Sequence, residues 1–279
     1  MIKIVTDSTC DLPIHLFQQY DITVVPINIQ FGTETYQEGI TMDRPTFYRK
    51  IEEMGIIPTT SQPSAGQFVE VYRRVAAEGA TSILSLHLTS KRSGTYQSAE
   101  LARSMLPELD IHVFDTLSLS AGLGFSVLEA ARAIEAGKSV DEILQRLEII
   151  RDNLRIFLTP ATLKYLQMSG RVGKLSGALA SLLNVKPIIV VEDGLLDVTE
   201  RVRTRRKALE RLLELTEEAH GKDPINLAVV HAETPDEAQD LMERARARLN
   251  CVESFVEDLA TSLAVHGGPG IIGVISYKV

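Results

Sequence analysis

Cysteine is scarce in this 279-residue chain and tryptophan is absent. Cys10 and Cys251 stand far apart, with no CxxC pattern and no histidine at ligand spacing. That excludes a disulfide-stapled scaffold and gives no zinc module, and it fits a reduced, cytoplasmic protein. Positive charge is also in deficit. Lys and Arg number 29 against 37 Asp and Glu, a net charge of −8, so nothing supports a general nucleic-acid partner. Long apolar runs are missing as well, none approaching the ~20 residues a bilayer span needs. The opening Met1-Ile2-Lys3-Ile4-Val5-Thr6-Asp7 reads as a strand and lacks the features of a secretory signal. What remains is ordinary for a globular protein: 44% hydrophobic, 24% charged, and long enough for two domains or one large one.

Several familiar chemical signals fail on spacing. Gly122-Leu123-Gly124 begins like a dinucleotide loop, but Val127 stands where the third glycine belongs. Gly137-Lys138-Ser139 resembles the end of a phosphate loop, yet Arg132 replaces its first glycine. The Gly170-Arg171-Val172-Gly173-Lys174-Leu175 stretch has the wrong spacing and no hydroxyl. No GxSxG elbow, no HExxH pair and no evident carboxylate pair occurs. None of these patterns therefore supports a dinucleotide, phosphate-loop, nucleophile-elbow or metal site.

The apolar patterning alternates between short runs and helical stripes. Strands are expected at 2–5, 24–29, 82–88 and 111–114, apolar enough for burial on both faces. Helices are expected around 44–54, 66–77, 95–105 and 120–136, which makes the order that of a parallel α/β sheet. Ser139-Val140-Asp141-Glu142 is a capping box opening a further helix that closes this first domain. The second begins near Leu154, giving domains at 1–153 and 154–279. A strand at 155–158 is followed by Thr159-Pro160, which resembles a helix start. Runs at 186–191 and 196–202, separated by Glu192-Asp193-Gly194, read as a β-hairpin. A helix at 204–220, a strand at 225–230, a capping box at Thr234-Pro235-Asp236-Glu237 and strands at 251–256 and 270–277 complete a mixed-sheet α/β domain.

Polar residues gather at the expected strand ends: Thr6-Asp7-Ser8-Thr9, Thr89-Ser90 and Asp115-Thr116-Leu117-Ser118. Open parallel sheets bind ligands outside that edge, although Asp7 reads equally well as a helix cap or a hydrogen-bonding loop residue. Two hydroxyl-rich segments precede helical stretches: Thr59-Thr60-Ser61-Gln62-Pro63-Ser64 and Ser90-Lys91-Arg92-Ser93-Gly94-Thr95-Tyr96-Gln97-Ser98. Ser61 and Ser93 either cap their own helices or, with free N–H groups at the helix starts, hold a small anion.

Taken in order, Lys3-Ile4-Val5-Thr6-Asp7-Ser8, Thr60-Ser61-Gln62-Pro63-Ser64, Ser93-Gly94-Thr95-Tyr96-Gln97-Ser98-Ala99, Tyr165-Leu166 with Gly170-Arg171, Lys186-Pro187 and His266-Gly267-Gly268-Pro269-Gly270 resemble the DegV family of bacterial fatty-acid-binding proteins over essentially the whole length. The resemblance implies a two-domain α/β protein holding one long-chain fatty acid between its domains. It implies a carrier without catalytic residues, the binding subunit of a fatty acid kinase. Such a subunit presents the carboxyl group to a separate ATP-dependent kinase subunit and carries the acyl-phosphate toward phospholipid synthesis. Transient contact with a membrane surface is compatible with that role. Carried onto this chain, the head-group ligands are a hydroxyl of the Thr60–Ser61 pair, Ser93 beside Gly94, and His266. Arg203, in the basic cluster Arg201, Arg203, Arg205, Arg206 and Lys207, is the kinase-docking choice, against a plain solvated helix start. Two alternatives stand beside this reading. One is an acyl hydrolase in which His266 activates Ser93; the other is a binding protein for another small anionic metabolite.

Overall fold

Four short apolar strands are hydrogen-bonded side by side at the start of the chain. The computed structural model describes residues 1–171 and 185–279. Val172, Gly173, Lys174 and Leu175 of the rejected phosphate-loop comparison lie outside the described residues. The chain splits into two compact units: Met1–Arg151 with Ala260–Ser262, and Asp152–Leu259 with Leu263–Val279.

The first unit runs β1 (Ile2–Asp7), α1 (Ile14–Gln19), β2 (Thr23–Val25), β3 (Asn28–Phe31), β4 (Glu34–Gln37), α2 (Arg44–Met54), β5 (Thr59–Ser61), α3 (Ala65–Ala77), β6 (Ser82–His87), α4 (Thr95–Ser104), β7 (Ile111–Asp115), α5 (Ala121–Glu135) and α6 (Val140–Asn153). Strands β2-β1-β6-β7 form the expected parallel sheet, and β4-β3-β5 form a separate antiparallel one. The strand expected at 24–29 is thus two strands in two sheets. Pro26 lies at the break and has no N–H to extend a ladder. Burial on both faces holds for most of β1 and β6, the central strands, but the edge strands β2 and β7 are only partly covered. Val5, Phe68, Tyr72, Ile83 and Leu106 pack in one buried cluster between sheet and helices.

Local signals explain the helix ends. Asp43 accepts from Thr46 N to start α2, and Gly55 closes it in the left-handed conformation at φ 65°. Ser64, rather than Ser61, caps α3, in a reciprocal box with Gln67. The Ser139–Glu142 box forms as expected at the start of α6. The Glu142 carboxyl is pulled down to about 2 by the Ser139 N–H and then by Lys138.

The second unit contains β8 (Arg155–Thr159), α7 (Lys164–Met168), β9 (Lys186–Glu192), β10 (Leu195–Val202), α8 (Arg205–His220), β11 (Ile225–His231), α9 (Pro235–Arg248), β12 (Cys251–Asp258), α10 (Thr261–Gly267), whose first residues belong to the other unit, and β13 (Ile272–Lys278). Its mixed sheet has the order β10-β9-β8-β13-β11-β12. The hairpin turn sits at Asp193 and Gly194, with φ of 49° and 76°, as a two-residue primed turn requires. Helix α8 lies against β8, β9 and β13, and α9 against β11 and β12. Between them Ile188, Leu212, Leu227, Leu241 and Val274 form a continuous core.

Two expectations fail here for identifiable reasons. Thr159-Pro160 does not open a helix, because Thr159 is still paired with Ile272 in the sheet, and α7 starts only at Lys164. Pro235 does occupy the first turn of α9, but Thr234 makes no side-chain cap. Its presumptive box partner Glu237 is gripped instead by the Arg205 guanidinium at 2.7 and 3.0 Å.

Candidate functional site

The strand-end loops of the parallel sheet are knitted to one another. Asp7, fully buried at the end of β1, accepts from Thr9 N and Thr9 Oγ1 on one oxygen. Its other oxygen meets His87 Nδ1 at 3.0 Å and Leu88 N at 3.1 Å. The Asp7 side chain thus serves hydrogen bonds within its own turn and across to β6. Ser90 N and Leu117 N both donate to Asp115 Oδ1, and Thr89 N donates to Ser118 O. Asp7, Thr89–Ser90 and the 115–118 loop therefore share one edge, as the strand order demands.

His87 Nε2 meets Ser85 Oγ at 2.7 Å, and Ser85 Oγ meets the Tyr72 hydroxyl at 2.7 Å. Asp7, His87 and Ser85 thus reproduce the order of a nucleophilic triad, a juxtaposition the sequence reading missed. All three are fully buried, and Ser85 Oγ is already bonded to both His87 and the buried Tyr72 hydroxyl, so that hydroxyl is closed off from solvent. The line is a structural tie across β1 and β6. Burial pushes the Tyr72 hydroxyl up, which keeps it protonated.

The two hydroxyl segments come together on this unit. Strand β5 pairs Thr60 with Ile29 and Ser61 with Asn28, so this pair is held by a sheet and not by a helix start. Ser61 Oγ accepts from Gln30 Nε2 at 3.2 Å. Ser93 Oγ lies 2.8 Å from Thr95 Oγ1 and accepts from Thr95 N at 3.2 Å. The Ser93 hydroxyl thus closes a local turn onto Thr95, while the N-cap of α4 is Gly94 without a side-chain cap, so neither Ser61 nor Ser93 caps its own helix. Gly94 ties the segments to each other. A Cβ on Gly94 would stand 2.8 Å from Gln62 Nε2, so the missing side chain is what lets Gln62 lie across this turn. Thr60, Ser61, Ser93 and Gly94 are all half-buried, within reach of solvent.

The remaining sequence motifs converge on the second unit. His266, half-buried, lies in α10, and the glycines behind it are sterically required. Gly268 has φ 76°, and a Cβ there would overlap the Tyr165 ring. Gly270 has φ 81°, and its Cβ would fall 2.7 Å from that of Ala161, whose carbonyl accepts from Lys186 Nζ at 2.7 Å. Tyr165, Lys186 and the 266–270 turn are thus one packed assembly. Of the basic cluster, Arg205 is committed to Glu237 and to the Thr159 carbonyl, while Arg203 is exposed.

With this geometry in view, the comparisons with known proteins decide the family. The profile described as "Uncharacterised protein, DegV family" matches residues 1–279. The chain belongs to the DegV family. Protein DegV of Bacillus subtilis is 34% identical over 275 residues, 98% of each chain. A DegV family protein from Thermus thermophilus, whose structure was solved as a fatty acid binding protein, superposes with a TM-score of 0.93 at 35% identity, covering 100% of this chain and 99% of its own. A stearic acid-binding protein from Eubacterium ventriosum superposes with a TM-score of 0.90 at 27% identity, covering 100% and 98%. This DegV-family chain therefore carries the two-domain α/β fold of those proteins.

Among the described residues no group of His, Cys, Asp and Glu is arranged to hold a metal ion, and no helix is long and apolar enough to cross a membrane. A second pairing, besides Asp7–His87–Ser85, has no signal in the sequence. Asp11 and Glu38 are both buried, and Glu38's charge adds to the burial that pushes Asp11 well up. No local spacing could have signalled them.

Proposed function

We propose that this chain binds a long-chain fatty acid and carries it in the cytoplasm, with the carboxyl group met by Thr60, Ser61, Ser93, Gly94 and His266. The observation that carries the reading is the meeting of the 60–62 and 93–94 segments across Gly94, on a chain whose relatives from Thermus thermophilus and Eubacterium ventriosum bind fatty acids. The chemistry is suitable. Burying the acyl tail contributes about 0.8 kcal/mol per methylene, part of which is consumed by ordering and association. A buried carboxyl without partners costs several kcal/mol, and hydroxyls can serve either its ionised or its protonated form.

Native protein purified without detergent should release a near-stoichiometric fatty acid on organic extraction, read by mass spectrometry. An empty protein that also takes up no fatty acid after delipidation rules the reading out. His266→Ala should weaken oleate binding about ten-fold while leaving the unfolding midpoint nearly unchanged. Equal losses of affinity and stability would mark His266 as a packing residue.

The fatty acid carrier further serves a separate ATP-dependent kinase, which phosphorylates the presented carboxyl group, and the exposed Arg203 helps to dock it. Arg203→Glu should spare oleate affinity and lower the rate of acyl-phosphate formation by that kinase about ten-fold or more. Unchanged phosphorylation would remove Arg203 from the interface.

A further inference from the structure

Ala260, Thr261 and Ser262 lie at the beginning of α10, the helix that ends in His266 and Gly267. Each is fixed by a buried carboxylate from the early part of the chain. Ala260 N donates to Asp11 Oδ1 at 3.0 Å. Glu38 Oε1 accepts from Thr261 Oγ1 and from Ser262 N, both at 2.7 Å. Glu38 Oε2 accepts from Ser262 Oγ and from Ser8 Oγ, both at 2.6 Å. Ser8 Oγ already accepts from Ile27 N, so its proton is directed at Glu38. Both Glu38 oxygens are thus surrounded by donors, an arrangement suited to a carboxylate and not to an amide.

Asp11 is anchored from its other side. Its Oδ2 accepts from Ser120 Oγ at 2.5 Å, and Ser120 is held at φ 57°, ψ −137°, a conformation that a residue with a side chain seldom adopts. Strain at Ser120 is tolerated because the surroundings over-determine it. Burial raises both carboxyls, and the hydroxyl and N–H donors offset that cost.

We propose that Asp11 and Glu38 are positioning residues for His266, a carboxylate clamp that sets the start of α10 and through that helix the place of the imidazole. Ser262 and His266 are four residues apart in one helix, so they share a face and lie about 6 Å apart along the axis. A shift at the clamped end therefore moves the imidazole by a similar amount. This inference rests on the fatty acid reading for what His266 meets, and on the hydrogen bonds alone for what holds it.

The test is a double-mutant cycle read by calorimetric titration of delipidated protein with oleate. E38Q keeps the volume but turns an amide NH₂ toward two donors, and D11N does the same beside Ala260 and Ser120. Each should weaken oleate binding about ten-fold in the native background and by less than two-fold when His266 is already alanine. Ser262→Ala, which removes one hydroxyl and keeps the N–H, is the milder variant if E38Q does not fold, and it should show the same non-additivity. Losses that simply add to that of H266A, or none, overturn the clamp while leaving the fatty acid reading intact. If the native protein takes up no oleate, that reading fails on its own. The clamp is then judged by the His266 imidazole proton resonances of the ligand-free protein: a shift in E38Q supports it, and unchanged resonances overturn it.

Discussion

Asp7→Ala should lower the unfolding free energy by about 3–5 kcal/mol, the cost of breaking a buried hydrogen-bonded charged group on one side only. The carboxylate is fully buried, and its removal strands Thr9 N and Leu88 N together with the Thr9 hydroxyl and His87 Nδ1. An orphaned buried donor costs about 1–3 kcal/mol, so the simple sum would be larger still. Relief of the carboxylate's own desolvation, and relaxation of Thr9 at the loop, bring the net figure down. The disturbance also reaches β6, since His87 is bonded onward to Ser85 and Ser85 to Tyr72. Asp7→Asn keeps one acceptor oxygen and should lose roughly half as much. Urea unfolding at neutral pH checks both. A loss below about 1 kcal/mol for the alanine variant would mean that water replaces the carboxylate, and the tie across β1 and β6 would lose its meaning.

How much of this was legible beforehand depends on the range over which each feature is encoded. The buried runs of β1 and β6, the Asp193-Gly194 turn and the Ser139–Glu142 box are local patterns, and each appears in the structure where its pattern stands. Local patterns fail where a distant partner outbids them. Glu237 has the spacing of a capping residue but is taken by Arg205, which precedes it by two elements. Thr159-Pro160 looks like a helix start, yet Ile272 near the end of the chain keeps Thr159 in the sheet.

The site divides along the same line. Its hydroxyl segments and the 266–270 turn are contiguous motifs, so they could be picked out residue by residue. What holds each of them in place is not contiguous. Gly94 makes room for Gln62, and Gly268 makes room for Tyr165. Glu38 meets Thr261 and Ser262 across most of the chain, so its pairing with Asp11 was invisible to a search for spacing.

Gly124→Ala carries the second large expectation, and two opposed effects decide its sign. Inside α5 an alanine gains about 1 kcal/mol over glycine from helix propensity. The added Cβ, however, would stand 2.7 Å from the Asp11 carbonyl oxygen and 2.9 Å from Leu12 Cγ. Glycine is therefore present for close approach, not for a dinucleotide. The obstructing atom is backbone, in a fully buried contact, so nothing can swing aside. Asp11 must move as a residue, and its carboxylate is bonded to Ser120 and Ala260. Overpacking of this kind costs about 1–3 kcal/mol, and disturbing the two hydrogen bonds adds about 1–2 kcal/mol more. The net expectation is a loss of about 1–4 kcal/mol, measured by urea unfolding. Gly94→Ala is the control, because its nominal overlap is equally close but falls on the far end of the Gln62 side chain. That carboxamide can rotate away, and the stability change should stay within about 0.5 kcal/mol. If the two variants lost equal stability, the backbone contact at Asp11 would not be what demands glycine at position 124.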